Sequence, residues 1–344
     1  MCRLHARLSL DSVMATTSAI IQRDRAVSVG RLRLFVRECG NGNGYPLLLI
    51  NGVGANVEMW GGSQERLAGV ARTISFDAPG MGRSRTSPAV LTHPVYVKIV
   101  CGLLDELGVE RCDVLGFSFG GTIAQQLART APDRVRRVAL VGSSCGWGGV
   151  PPAARPVIAD SLRYHARIAF AHANRLLDRV GRDPDEKTLR AQSAARAGQP
   201  PTITGLAKQC LAGATWSSLH WISTLRAPSL VIAGERDAIV PPANALMLAR
   251  HLPHGRCHIL PGEGHMLPLD PNSRLHSLLL DFFSSSTLDR CAAWNDGVIV
   301  DDDVLRQALR DAPSAQPFRT LNAIYRGWVA LPPVRWLAGR LGLL

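Results

Sequence analysis

Apolar and polar positions alternate along residues 26–39 (AVSVGRLRLFVREC) around a central glycine, the pattern of an opening β-hairpin. The cluster Asn41-Gly42-Asn43-Gly44 then reads as a turn. It leads into Pro46-Leu-Leu-Leu-Ile50, an uninterrupted apolar run of the kind required by a strand covered on both faces. Similar short runs recur at Arg72–Phe76, Cys112–Gly116, Val138–Val141, Ser229–Ala233 and Cys257–Leu260. Helix-like segments separate the earlier ones, for example Val95–Leu107 and Thr122–Thr130. Strands that alternate with helices predict an α/β fold with a mostly parallel sheet and helices on both faces.

The alternation breaks between Cys145 and Arg226. This stretch opens on Gly146-Trp147-Gly148-Gly149-Val150-Pro151-Pro152, turns helical and rich in Ala and Arg, and ends at Ala227-Pro228. Because the sheet pattern resumes at Ser229, the segment reads as a helical cap inserted after the sixth strand. The expected organisation is a leader over residues 1–25, with Met14 an alternative start, and a sheet core over 26–144 and 227–284. The cap takes 145–226, and a C-terminal extension 285–344 begins at a linker-like Ser284-Ser285-Ser286. Asp301-Asp302-Asp303 suits the start of a helix, where acidic side chains face the positive end of the dipole.

Composition narrows the class. With 46% hydrophobic and 19% charged residues, the chain can bury a full core. Its formal net charge is +12, and all but three of its 39 basic residues (Lys98, Lys187 and Lys208) are arginine. That charge suits an anionic surface. It is dispersed without a basic run or a nucleic-acid motif, so no nucleic-acid partner is expected. The 8 cysteines form no CxxC pair and no metal-ligand spacing, which reads as reduced thiols in a cytoplasmic protein. No apolar run reaches the roughly 18 residues of a membrane-spanning helix.

The chemistry is concentrated in Gly116-Phe117-Ser118-Phe119-Gly120. Gly-x-Ser-x-Gly between a strand and a helix forms a strained turn that lifts the serine hydroxyl above the sheet. Here Cys112–Leu115 is the entering strand, and small residues from Gly120 to Ala124 open the helix. Ser118 is therefore the candidate nucleophile. The Phe119 amide lies at the helix N-terminus, where negative charge is favoured, and is one candidate oxyanion donor. A second is the Val53 amide, in the glycine-rich loop Asn51-Gly52-Val53-Gly54-Ala55 after a strand.

A serine hydroxyl needs a base, and the base an orienting acid. After the strand Ser229–Ala233 comes Gly234-Glu235-Arg236-Asp237, which offers Asp237 as the acid with Glu235 as its neighbouring competitor. After Cys257–Leu260, Gly262-Glu263-Gly264-His265 presents a loop histidine among glycines, so His265 is the candidate base. Asp77, in Asp77-Ala78-Pro79-Gly80-Met81-Gly82, reads as a structural loop residue. His93, His165, His172 and His276 read as solvated or structural.

Over about residues 28–284 the sequence resembles the α/β-hydrolase superfamily. More narrowly it resembles the intracellular depolymerases of medium-chain-length polyhydroxyalkanoate. The narrower likeness rests on Pro46–Asn56 with Trp60, on the Ser118 pentapeptide, on Ala214-Thr-Trp-Ser-Ser-Leu-His-Trp221, and on Ala233–Pro241. The resemblance implies an α/β-hydrolase fold with Ser118, Asp237 and His265 as a triad. It implies an enzyme hydrolysing 3-hydroxyalkanoate esters at storage granules, with Asn51, Trp60, Trp216, His220 and Trp221 near the substrate and neither metal nor organic cofactor. Other triad hydrolases remain alternatives: lipases and esterases, carbon–carbon hydrolases and perhydrolases. So does a non-catalytic granule- or membrane-binding protein. The tail from Phe318 to Leu344 carries Trp328 and Trp336 among arginines at mostly helical spacing. It suits either a granule or membrane surface or packing on the hydrolase body.

Overall fold

The computed structural model describes residues 21–40, 44–151 and 198–312. Its frame is an 8-stranded sheet in the order β1-β2-β4-β3-β5-β6-β7-β8. The predicted hairpin is β1 (Gln22–Val29) and β2 (Leu32–Cys39), and β2 runs antiparallel to both of its neighbours. The remaining strands are parallel: β3 (Leu47–Ile50), β4 (Thr73–Phe76), β5 (Cys112–Phe117), β6 (Val135–Val141), β7 (Ser229–Gly234) and β8 (Gly255–Leu260).

The continuous apolar runs exist because successive side chains leave a strand on opposite faces and both faces are covered. Leu48, Ile50, Val114, Leu140 and Val231 join one buried cluster. It is covered by helices α2 (His93–Glu106) and α3 (Phe119–Thr130). Leu47, Leu49, Leu115, Ala139, Leu230 and Ile232 join the other. That face is covered by α1 (Gly61–Leu67) and by a later helix that carries Phe282 and Phe283.

The cap is inserted after β6, as expected. Of its residues only 145–151 and 198–226 are among those described, so the middle of the predicted cap, with His165 and His172, lies outside them. The described part contains helix α4 (Ile203–Ala214), whose first turn is capped by Thr202 through Gly205 N–H (3.0 Å). The two ends of the cap meet in an antiparallel bridge between Gly146 and Ser217. Helices α5 (Ala243–His251) and α6 (Leu275–Ser284) complete the layers.

The region after Ser284 departs from the expected linker. Residues 285–312 pack on the body through two further helices, α7 (Ala292–Asn295) and α8 (Asp302–Asp311). Val298 exchanges both backbone hydrogen bonds with Cys257 (3.0 and 2.9 Å), which covers the outer edge of β8. Trp294 stacks on Phe282 with ring centroids 5.9 Å apart, and Val300 and Leu305 are buried. Asp301 caps α8 by accepting the Val304 N–H (2.8 Å), as the acidic triplet predicts. The tail 318–344 and most of the leader lie outside the described residues. Among the described residues, no helix is long and apolar enough to cross a membrane.

Candidate active site

Ser118 has φ 54° and ψ −120°, and among the described residues it is the one non-glycine with positive φ. Such a backbone costs about 1–3 kcal/mol and persists only where its surroundings enforce it. Here the Ser118 N–H is held by the Val141 carbonyl at the end of β6 (2.8 Å). The small residues either side are required by contact. A Cβ on Gly120 would stand 2.0 Å from the Ile50 carbonyl oxygen, and one on Gly116 would stand 2.6 Å from the Gly121 Cα. The helix therefore begins in direct contact with the end of β3, and the serine hydroxyl projects at the carboxyl edge of the sheet.

Asp237 and His265 arrive at the same edge from the loops after β7 and β8. Asp237 is buried, and its Oδ1 accepts the N–H groups of Ile239 (2.9 Å) and Val240 (2.7 Å). Its Oδ2 lies 2.7 Å from His265 Nδ1. This contact makes Nδ1 the protonated nitrogen and leaves Nε2 as an acceptor. The imidazole packs on Gly142, where a Cβ would come within 3.2 Å, and lies 5.0 Å between centroids from the Phe117 ring. Gly142 follows the carbonyl that holds Ser118, and Phe117 precedes Ser118. The fold thus brings Ser118, Asp237 and His265 together at the ends of β5, β7 and β8.

Glu235, the competitor for the acid position, points elsewhere: its exposed carboxylate accepts the Gly262 N–H (2.8 Å). Glu263 is buried and accepts from the Ser273 hydroxyl (2.5 Å) and the Arg274 N–H (3.3 Å), pinning the loop that carries His265. A buried Glu in a Gly-rich turn has no sequence signature.

The loop after β3 abuts the serine. A Cβ on Gly52 would stand 3.4 Å from the Ser118 Cβ, so the residue before Val53 lies against the candidate nucleophile. The Phe119 N–H belongs to the first turn of α3 and has no intrahelical partner by position. Asp77 is structural, as expected: fully buried, it accepts the N–H groups of Val57 (2.7 Å) and Arg83 (2.8 Å). Burial pushes its pKa up to about 6 against those two hydrogen bonds.

The residues expected near substrate separate into different roles. Trp60 is a correction: at 0% exposure it lies wholly within the core cluster with Leu47, Met59 and Leu67, and offers no surface to a ligand. Trp216 and Trp221 are also buried. The Trp216 indole N–H donates to Gln126 on α3 (2.9 Å) and its ring stacks on His93 at 4.3 Å. The Arg129 guanidinium sits over Trp221 at 4.6 Å. These two tryptophans bind the return of the cap to the back of α3. His220 is half-buried, edge-on to Trp221. Asn51 donates to the Phe76 carbonyl (3.2 Å), tying β3 to β4, while its buried Oδ1 has no hydrogen-bond partner. His93 is buried, with Nε2 2.8 Å from the Thr122 hydroxyl, and burial lowers its pKa to about 3.

Comparison with known proteins agrees with this fold. A family model of the α/β hydrolase fold matches residues 45–271. A poly(3-hydroxyalkanoate) depolymerase of Ectopseudomonas oleovorans is 31% identical over 244 residues, covering 69% of this chain and 83% of that protein. A 2-hydroxymuconate semialdehyde hydrolase of Pseudomonas sp. (strain CF600) is 32% identical over 258 residues, covering 72% and 89%. Among solved structures, the 2-hydroxy-6-oxo-6-phenylhexa-2,4-dienoate hydrolase of Rhodococcus sp. strain RHA1 aligns with a TM-score of 0.66 at 22% identity. That alignment covers 77% of this chain and all of that one, a likeness of fold. With its sheet order, its inserted cap and these relatives, the chain belongs to the α/β-hydrolase fold family and is a hydrolase.

Proposed function

We propose that this hydrolase cleaves carboxylic esters through Ser118, His265 and Asp237, and that its substrate is a hydrophobic polyester or ester of the poly(3-hydroxyalkanoate) class. The observation that carries the reading is the left-handed backbone of Ser118 at the same sheet edge as the 2.7 Å Asp237–His265 contact. Ser118 Oγ attacks the ester carbonyl as His265 Nε2 takes its proton, and Asp237 holds the imidazole and stabilises its cation. The Val53 and Phe119 amides receive the oxyanion. The alcohol leaves with the proton from His265, and water hydrolyses the acyl-enzyme by the same route. The polyester part is supported by the likeness to the depolymerase.

Carbon–carbon hydrolysis is the second reading, and the similarity to the semialdehyde hydrolase favours it. One experiment tests both. A fluorophosphonate probe labels the wild type and leaves Ser118→Ala unlabelled; equal labelling of the two removes Ser118 from the chemistry. In parallel, p-nitrophenyl esters of graded chain length, poly(3-hydroxyalkanoate) and a ring-fission dienoate are offered as substrates. Turnover of the dienoate without any ester would replace the ester reading by the second one.

A further inference from the structure

Helix α4 of the cap reaches the loop that carries Val53. Gln209, on the buried face of α4 and 2% exposed, accepts the N–H of Gly54 through Oε1 at 2.8 Å. Its side chain lies beside the Tyr96 phenol of α2. Gly54 is the third residue of a turn closed by Ala55 N–H to the Gly52 carbonyl (3.3 Å), and its φ is +68°. A positive φ at that position is the mark of a type II turn, and it calls for glycine. The middle peptide of such a turn, between Val53 and Gly54, interconverts with the type I arrangement by rotating in place. It carries the Gly54 N–H, while the Val53 N–H stands on the peptide just before it, so Gln209 acts on that donor by fixing the turn that follows it. Gln209 Oε1 facing the Gly54 N–H holds one orientation. Flipping the peptide would turn the Val53 carbonyl toward Gln209, and the pairing would be recovered only if the Gln209 carboxamide turned over as well to present Nε2. Short of that concerted change, the flip costs a hydrogen bond and leaves a polar group unpaired in a buried site.

We infer that Gln209 is a positioning residue for the oxyanion loop: a cap side chain that sets the orientation of the Val53–Gly54 turn beside Ser118. The inference rests on the reading of Val53 and Phe119 as oxyanion donors and extends it to the cap. The remainder of α4 does not depend on this contact. The Thr202 N–H and hydroxyl both donate to the Gly80 carbonyl (2.8 and 3.1 Å), and Lys208 Nζ donates to the carbonyls of Ser87 and Ala89. Replacing Gln209 therefore releases the turn and leaves the helix docked.

An oxyanion donor acts when charge develops on the carbonyl oxygen, so disturbing its position lowers kcat and leaves ground-state binding alone. Gln209→Leu, close in size but without an acceptor, is expected to lower kcat for a p-nitrophenyl ester by about 10- to 100-fold. KM should stay within about twofold. Affinity for a boronic acid, a tetrahedral mimic, should fall in step with kcat. Gln209→Glu, which keeps an oxygen facing Gly54, should restore most of the rate. Should Gln209→Leu fail to fold, as judged by its melting transition, Gln209→Ala is read in the same way. A kcat within twofold of wild type, a change confined to KM, or a Gln209→Glu rate no better than that of Gln209→Leu overturns the role of Gln209. In each of those outcomes the wild type still hydrolyses the ester through Ser118, and the esterase reading stands. Failure of that reading shows separately, as a wild type without Ser118-dependent ester hydrolysis, and it takes this inference with it.

Discussion

Asp237 and Glu235 are two residues apart in one loop and both carry carboxyl groups, yet their surroundings differ sharply. Asp237 is buried, held by two backbone amides and aimed at His265 Nδ1; Glu235 caps a surface turn. Asp237→Asn keeps the shape but offers the imidazole an amide that favours the wrong tautomer. Its kcat/KM should fall by roughly 10³- to 10⁴-fold, as for orienting acids in triads generally, while Glu235→Gln stays within about threefold. Steady-state kinetics on the two variants decide it, and a reversed order would move the acid to Glu235. His93 supports a prediction about pH. Burial holds it neutral, with its pKa lowered to about 3 from 6.5. The unfolded chain therefore binds a proton between those values that the folded chain does not, so stability is present above pH 6.5 and is lost as pH falls toward 3. At pH 5 the loss due to this residue is about 2 kcal/mol. Urea unfolding at pH 7 and pH 5 should show a smaller acid loss in His93→Gln than in wild type, and equal losses would refute it.

The turn from β5 into α3 is readable from the chain because its demands are local. A strained serine, glycines where backbones touch and a helix behind them recur wherever that turn is built. The segment 285–312 is the opposite case. Its serines and acidic residues read as linker and extension, but Val298 pairs with the edge of β8 and Trp294 fills a position against Phe282. A polar stretch with a few well-placed apolar side chains has no periodicity to reveal it, because those side chains are spaced by the surface they cover. Trp294 is 8% exposed, and Trp294→Ala should destabilise the fold by about 3 kcal/mol through lost burial and cavity formation. Chemical unfolding measures this. A cost below about 0.5 kcal/mol would mean that the segment is a dispensable attachment.

The net charge of +12 is in part answered within the protein. Along the first strands Arg37 pairs with Asp24 and Glu58, Arg25 and Arg72 pair with Glu38, and Arg83 pairs with Glu58. That edge is a network of ion pairs joining four arginines to three carboxylates. We propose that the tail, with its arginines and tryptophans, meets an anionic surface. Deleting residues 313–344, which retains the cover over β8, should reduce co-sedimentation with polyester granules or anionic vesicles. Esterase activity on a soluble substrate should remain. Unchanged binding would favour the other reading of the tail, packing on the hydrolase body.

What the chain determined by itself is whatever depends on near neighbours: the strands buried on both faces, the Ser118 turn, and the point where the inserted segment leaves the sheet. Each rests on a run of apolar residues or on a glycine and serine pattern within a few positions. Only the tertiary structure decided the rest. It separated Asp237 from Glu235, turned Trp60, Trp216 and Trp221 into framework, folded residues 285–312 onto the body, and set Gln209 against Gly54. Those outcomes depend on which surfaces meet across the sheet and beneath the cap, between residues as much as 155 positions apart. Burial, pairing and the loss of a partner are properties of that meeting, and no local pattern carries them.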